Sequence, residues 1–282
     1  MQKKYPAQLT EAIPLRHSVR TFLPDPLPDQ LISQIRSFTA SLDLPFQHDM
    51  KFHFFRAEPG KKLYNNGINP ADNAALISQT DLVSVSKTGF AGELLMLYAV
   101  SLGVSACWFG HYKLSEAGRY IPGIASKDRI RESAMGYGYG NHTDAGERVI
   151  CCMPLGFSDE KSKRIIDIIM KKKGGNRKQT EKLLENPELA EHIPEDIMNV
   201  LDLAKLAPSA GNSQMWRFGF RDDFRTITVS KPRGYRHFKW EHSDADIGIC
   251  AAHVWLGLLE KGYDPEVLVS FDTDRALWTF RL

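Results

Sequence analysis

Apolar residues recur at helical spacing in several separated stretches of the chain, and aromatic or β-branched runs lie between them. Leu9, Ala12 and Ile13 mark one apolar face near the N-terminus. After the break Pro24-Asp25-Pro26-Leu27-Pro28, the positions Leu31, Ile35, Phe38 and Leu42 predict an amphipathic helix. Lys51 to Arg56 reads as an aromatic-rich strand, Glu58 to Asn73 as a loop, and Leu82 to Ser86 as a further strand. Ala91 to Leu102 is apolar nearly all round, which predicts a central helix ended by Gly103. Val149 to Gly156 reads as a buried strand. Farther on, Ile197, Val200, Leu201, Ala204 and Lys205 predict a helix that Pro208 ends, and Arg217 to Arg221 reads as a strand. A last long helix is predicted over Asp246 to Lys261, with Ile249, Cys250, Val254, Leu258 and Leu259 on its apolar face.

The second half of this pattern repeats the first. Pro28 with Leu31 and Ile35 matches Pro194 with Ile197 and Leu201 at an offset of 166. Phe52-His53-Phe54-Phe55-Arg56 matches Arg217-Phe218-Gly219-Phe220-Arg221 at 165, and Leu102-Gly103 matches Lys261-Gly262 at 159. Near-equal offsets in the same order predict a duplicated chain. The basic run Lys171-Lys172-Lys173-Gly174-Gly175-Asn176-Arg177-Lys178 is the sharpest change of composition and reads as a linker. We therefore expect a first half over 1–170, a basic linker over 171–187 and a second half over 188–282.

Composition narrows the class by exclusion. The chain has 282 residues, 43% of them hydrophobic, and a formal charge of +2 from 36 Lys+Arg against 34 Asp+Glu. That balance argues against a phosphate-binding surface for nucleic acid. Cys107, Cys151, Cys152 and Cys250 form no Cys-x-x-Cys pair, so a reducing cytoplasm is expected and a disulfide framework is not. No run is long enough to span a bilayer, and Met1 to Thr10 lacks the apolar core of a secretory signal, so export and membrane insertion are not expected.

Two stretches carry candidate chemistry. Arg16-His17-Ser18-Val19-Arg20 offers two guanidiniums, an imidazole and a hydroxyl, a donor set able to close on a phosphate. A solvated basic helix end explains the same residues. Ala207-Pro208-Ser209-Ala210-Gly211-Asn212-Ser213-Gln214-Met215-Trp216 offers hydroxyls and amides on a small-residue loop that suits an uncharged polar ligand, or equally a plain turn. Ala106 to Gly110 offers a close backbone approach at Gly110, with Trp108 and Phe109 also readable as core. Lys161, Lys163 and Arg164 follow a strand end and read as an anion contact or a solvated linker. His237, Glu241, His242, Asp244 and Asp246 resemble a metal set, but Ser243 and Asp244 stand where the last helix begins, and helix capping explains them. Tyr235, Phe238 and Trp240 read as cover for a ligand edge or the core. At an offset of 165 the arginines fall on Glu181 and Glu185, and the Pro208 loop falls on Asp43 to Lys51. Each half keeps what the other lacks, so one composite site per chain is expected where the halves meet.

Arg-His-Ser-x-Arg-x-Phe and Ala-Pro-Ser-x-x-Asn-x-Gln-x-Trp, with Gly103 to Gly110 between them, resemble the signature stretches of the FMN-dependent nitroreductase family. The arrangement is similar to a subgroup in which two nitroreductase-like halves are fused. The resemblance implies an α+β fold of two pseudo-symmetric halves, each a mixed sheet with packed helices, acting as a single-chain pseudo-dimer, monomer or weak homodimer. It implies FMN as bound cofactor and NAD(P)H as electron donor. Arg16, His17 and Ser18 would then hold the phosphate and ribityl end, Arg20 would lie near the pyrimidine edge, and a backbone N–H at Phe109 or Gly110 would face N5. Pro208, Ser209 and Asn212 would approach from the other half, and Lys163 and Arg164 would add phosphate contacts. Met215 replaces the proline usual before the tryptophan, which changes local stiffness. The implied activity is reduction of a nitroaromatic, quinone or similar electron-poor small molecule, with no catalytic side chain, no metal, no nucleic acid and no membrane. A flavin-binding or cofactor-free module without turnover, or a flavin-modifying enzyme of the same fold, fits the same motifs.

Overall fold

The computed structural model describes residues 7–58, 63–64, 69–121, 137–138, 141–142, 147–159, 176–222, 224–236, 240 and 242–282. Its first helices are α1 (Ala7–Leu15), which buries Leu9, Ala12 and Ile13, and α2 (Asp29–Ala40), which buries Ile32 and Ile35. β1 (Lys51–Arg56) pairs antiparallel with β2 (Asp72–Ser78), and the long helix α3 (Leu82–Ser101) follows. Here two expectations are corrected. The strand expected at Leu82 to Ser86 is the start of α3, because the Asp81 carboxylate accepts hydrogen bonds from the N–H groups of Val83 (3.1 Å) and Ser84 (3.0 Å). That cap outweighs the extended preference of Val83 and Val85. The strand instead occupies Asp72–Ser78, where every residue is buried and no alternation is left to read. Its polar start is satisfied internally: Asp72 accepts from Leu27 N and Arg56 Nε, and Asn73 accepts from the Tyr64 hydroxyl at 2.7 Å.

Two more strands, β3 (Ser105–Ala106) and β4 (Arg148–Gly156), complete a sheet of order β1-β2-β4-β3, with Asn141–His142 also pairing on β4. The later elements are α4 (Glu195–Ala204), β5 (Arg217–Arg221), β6 (Thr226–Ser230), α5 (Asp244–Glu260), β7 (Glu266–Asp272) and β8 (Arg275–Arg281). They form a second sheet of order β5-β6-β8-β7. Both sheets thus run first, second, fourth, third in chain order, each with its long helix between the second and third strands. The ladders between these strands are antiparallel, and the mixed character lies in two isolated parallel bridges, Ser18 to Ala106 and Leu184 to Phe218. These bridges break the repeat, because the first lies beside the third strand of its sheet and the second beside the first strand.

α3 and α5 pack on each other at a crossing with reciprocal geometry. A Cβ at Gly89 would run into the backbone carbonyl of Ala245, and a Cβ at Gly248 would run into that of Ser86. Both pairs are related by the same shift of 159 that relates Gly103 to Gly262. The helices also end alike, since Gly103 and Gly262 have φ of 77° and 85° and donate to Val100 O (2.9 Å) and Leu259 O (3.0 Å). A shared core of Leu9, Phe90, Val200, Trp255 and Trp278 spans both halves, with Phe90 stacked on Trp278 at 5.0 Å. No helix among the described residues is long and apolar enough to cross a membrane.

Candidate functional site

Arg16 follows the last turn of α1, where its N–H donates to Ala12 O at 2.9 Å and the helix dipole favours a cation. Its side chain is 5% exposed, with Nε 3.8 Å from Glu93 Oε1, yet Nε and Nη1 make no hydrogen bond among the described residues. Glu93 is a fully buried carboxylate in the middle of α3. It accepts from Trp108 Nε1 at 2.8 Å, and its other oxygen lies 3.0 Å from Nε2 of the equally buried His253 on α5. His253 Nδ1 in turn lies 3.5 Å from the Leu203 carbonyl on α4. One polar chain therefore joins the N-terminal arginine to the end of α4 in the second half.

After Arg16 the backbone turns along the first sheet. Ser18 bridges Ala106, Val19 N donates to Ala106 O, and Asp159 N donates to Thr21 O. Ser18 and Arg20 are half-buried between the buried Val19 and Thr21, and Arg20 has no ion pair or hydrogen bond among the described residues. His17 is exposed, with Nδ1 3.3 Å from Leu15 O. Lys161, Lys163 and Arg164 lie outside the described residues.

The Pro208 loop starts where α4 ends and winds through left-handed backbone at Gly211 (φ 59°), Asn212 (φ 57°) and Gln214 (φ 48°). For the last two that conformation is strained, and side-chain bonds hold it. Ser209 Oγ accepts from Gln214 N at 3.0 Å, and the amides of Asn212 (2.9 Å) and Gln214 (3.0 Å) both donate to Asn176 O. Gln214 Oε1 accepts from Lys178 N at 2.8 Å. Asn212 Oδ1 accepts from Arg177 Nη1 at 3.1 Å, and the same guanidinium bonds Ala207 O (2.8 Å) and Leu206 O (2.9 Å). The polar pattern of the loop thus grips Asn176 to Lys178, and Asn212 holds an arginine. Burial, then the nearby Arg16 cation, lowers the Arg177 pKa to about 10, with Glu93 acting the other way.

The Ala106 to Gly110 stretch and the Pro208 loop both reach the surroundings of Trp240. A Cβ at Gly110 would lie 2.5 Å from its indole nitrogen, while Ala210 packs against the cluster of Val85, Ile150, Trp240 and Ala245. Trp240 is buried, and its Nε1 has no hydrogen-bond partner among the described residues. The Phe109 N–H is already bonded to Cys152 O at 2.9 Å, so of the two backbone donors considered there only Gly110 is left to face a ligand. Asp246 accepts from Ala210 N at 2.9 Å and is pushed up to about 8 by burial, assisted by Asp244 and opposed by that bond. Among the described residues no three metal-ligating side chains converge. Ser243 stands at the N-cap of α5 without a capping bond. Asp244 does not cap the helix either: it pairs with the buried Lys231 at 2.5 Å and accepts from Ala276 N at 2.9 Å.

Sequence reading passed over Arg177, Glu93 and His253. Arg177 sat in a basic run that composition marks as linker, and its acceptors lie some thirty residues later. Glu93 had a visible signal, being the lone charge within an otherwise apolar helical run.

A family model described as "Putative TM nitroreductase" matches residues 8–258. Among solved structures, a "putative nitroreductase" from Thermotoga maritima is similar over 100% of this chain and 97% of its own, with a TM-score of 0.62 and 18% identity. A nitroreductase from Bacteroides fragilis, described with bound FMN, covers 55% of this chain and 91% of its own at 16% identity and a TM-score of 0.39. One from Bacillus subtilis covers 64% and 98% at 12% identity and a TM-score of 0.42. No curated protein matches.

Proposed function

Because the chain belongs to the nitroreductase family whose model spans residues 8–258, we propose that it is an FMN-dependent oxidoreductase that passes electrons from NAD(P)H to an electron-poor small molecule. The observation that carries this reading is a set of orphaned donors. Arg16 Nε and Nη1 are buried without hydrogen-bond partners among the described residues at one end, and Trp240 Nε1 is likewise buried without one beside Gly110. An unmade hydrogen bond from a buried donor costs about 1–3 kcal/mol, a cost that a bound acceptor would relieve. A phosphate answers the guanidinium and an acceptor-rich ring answers the indole. The residues fit the cofactor.

Bound flavin supplies two-electron hydride chemistry to which the protein adds position and electrostatics. Arg16 and Ser18 would hold the phosphate and ribityl end, and Arg20 would stand near the pyrimidine edge, where its cation favours a ring carrying extra negative charge. Gly110, against Trp240, and Ala210, against the cluster that holds Trp240, would border the ring. The like order of the two sheets and the reciprocal α3–α5 crossing support reading the chain as two fused halves with one composite site. Nitroaromatics and quinones are the acceptor classes this chemistry suits.

Purified protein desalted after incubation with FMN is expected to keep bands at roughly 370 and 450 nm at about one flavin per chain. Anaerobic NADH or NADPH should bleach them, and a nitroaromatic or quinone should restore them. Flavin that stays bound without bleaching would reduce the reading to a carrier, and no retained flavin would sink it. Arg20→Ala is expected to slow bleaching about tenfold, with FMN still bound, because its cation acts on the reduced ring more than on the oxidised one.

A further inference from the structure

We infer that His253, acting through Glu93, is a positioning residue for the Arg16 guanidinium: by holding the carboxylate it keeps arginine N–H groups open to an anionic ligand. The identity of that ligand rests on the flavin reading above. The task itself falls to two residues that neither signature motif contains.

Glu93 on α3 and His253 on α5 face each other across the contact of the two long helices, and both are fully buried. Inside an apolar interface such a pair adds little stability over hydrophobic side chains of like size, so packing does not account for it. Both carboxylate oxygens are engaged. Oε2 accepts from Trp108 Nε1 at 2.8 Å, and a Cβ at Gly92 would lie 2.4 Å from the Trp108 ring, so the indole rests on the bare backbone of α3 beside Glu93. Oε1 lies 3.0 Å from His253 Nε2, a bond that requires the imidazole hydrogen on that nitrogen. Arg16 Nε stands 3.8 Å from the same oxygen, a separation that gives charge attraction without a hydrogen bond. The guanidinium is therefore drawn to the carboxylate, yet its buried Nε and Nη1 donate to nothing among the described residues. His253 maintains that difference. Without its N–H, Oε1 would be a buried carboxylate oxygen short of a donor, and a closing of about 1 Å would bring Arg16 Nε to hydrogen-bond distance. An incoming phosphate would then compete with Glu93 for the same hydrogen. A side chain of the second half thus sets the state of an arginine that belongs to the first.

The test on the full chain has one arm without ligand and one with it. In NMR spectra of protein carrying isotope-labelled arginine, the Nε–H proton of Arg16, identified by its loss in Arg16→Gln, should move downfield in His253→Leu as it bonds to Glu93. Fluorescence titration then compares FMN with riboflavin, which lacks only the phosphate. For His253→Leu we expect FMN affinity to fall about tenfold, the scale of one charge-assisted hydrogen bond, with riboflavin affinity within about twofold of wild type. His253→Gln, which keeps an N–H donor, should lose less, and in an Arg16→Gln background the His253 change should cost FMN nothing further. Should His253→Leu not fold, His253→Asn, polar but too short to reach Glu93, carries both arms. Equal loss of FMN and riboflavin would mark His253 as merely structural and overturns the inference, as does no loss of either. An Nε–H proton that stays in place overturns it whatever the flavins do. If wild type binds neither flavin, the flavin reading has failed, and the NMR shift alone decides whether His253 positions Arg16.

Discussion

Asp246 accepts the Ala210 amide proton from the first turn of α5 while its carboxyl is buried and titrates at about 8. An unfolded chain gives up that proton near pH ~4. Folding therefore takes up a proton between about pH 4 and pH 8, and the stability tied to protonated Asp246 is lost as pH rises through that window. Asp246→Asn keeps an acceptor for Ala210 without the charge. Its Tm minus that of wild type is expected to grow steadily from pH 4 to pH 8, and parallel curves would show that Asp246 does not titrate there. Glu93 poses a different problem, because it is the only carboxylate touching both Arg16 and His253 among the described residues. Removing one partner from a buried ionic set costs roughly 3–5 kcal/mol. Glu93→Leu is accordingly expected to lower the urea midpoint strongly and to loosen FMN, while Glu93→Gln, which keeps an acceptor for Trp108, should lose less of both.

Between elements, the closest contact is backbone on backbone. Gly89→Ala or Gly248→Ala forces α3 and α5 apart and should cost at least ~3 kcal/mol, at the upper end of overpacking effects. Gly103→Ala and Gly262→Ala meet open space and bear only the left-handed penalty of about 1–2 kcal/mol. Thermal denaturation checks the order: if the crossing glycines prove no more sensitive than the helix-ending ones, the close approach is wrong. Much of this level was legible in the chain. The spacing of Ile197, Val200, Leu201 and Ala204 gave α4, and Gly103 and Gly262 gave two helix ends. What misled was local preference set against a partner outside the window. Leu82 to Ser86 has a strand's composition and became helix through the Asp81 carboxylate, while Asp72–Ser78 is buried on all sides and carries no period. The Pro208 loop was legible as special but not in what it binds, since Asn176, Arg177 and Lys178 sit in a run whose charges read as solvated.

For the whole molecule, the basic run near Lys173 suggests two separable pieces, but the packing argues for one. Leu9 and Phe90 from the first half share a cluster with Val200, Trp255 and Trp278 from the second, and Trp278 Nε1 donates to Ser86 Oγ at 2.8 Å. Calorimetry is expected to show a single transition with matching calorimetric and van't Hoff enthalpies. Two resolved transitions would mean that the halves melt independently. The crossing at Gly89 and Gly248 carries one further consequence. With no side chains between the two helices at that point there is nothing to compress or reshuffle, so the joint behaves as a rivet and not as a hinge. At the proposed composite site, any opening for a small molecule would then come from loops at the rim, the crossing itself holding the two long helices at a fixed span.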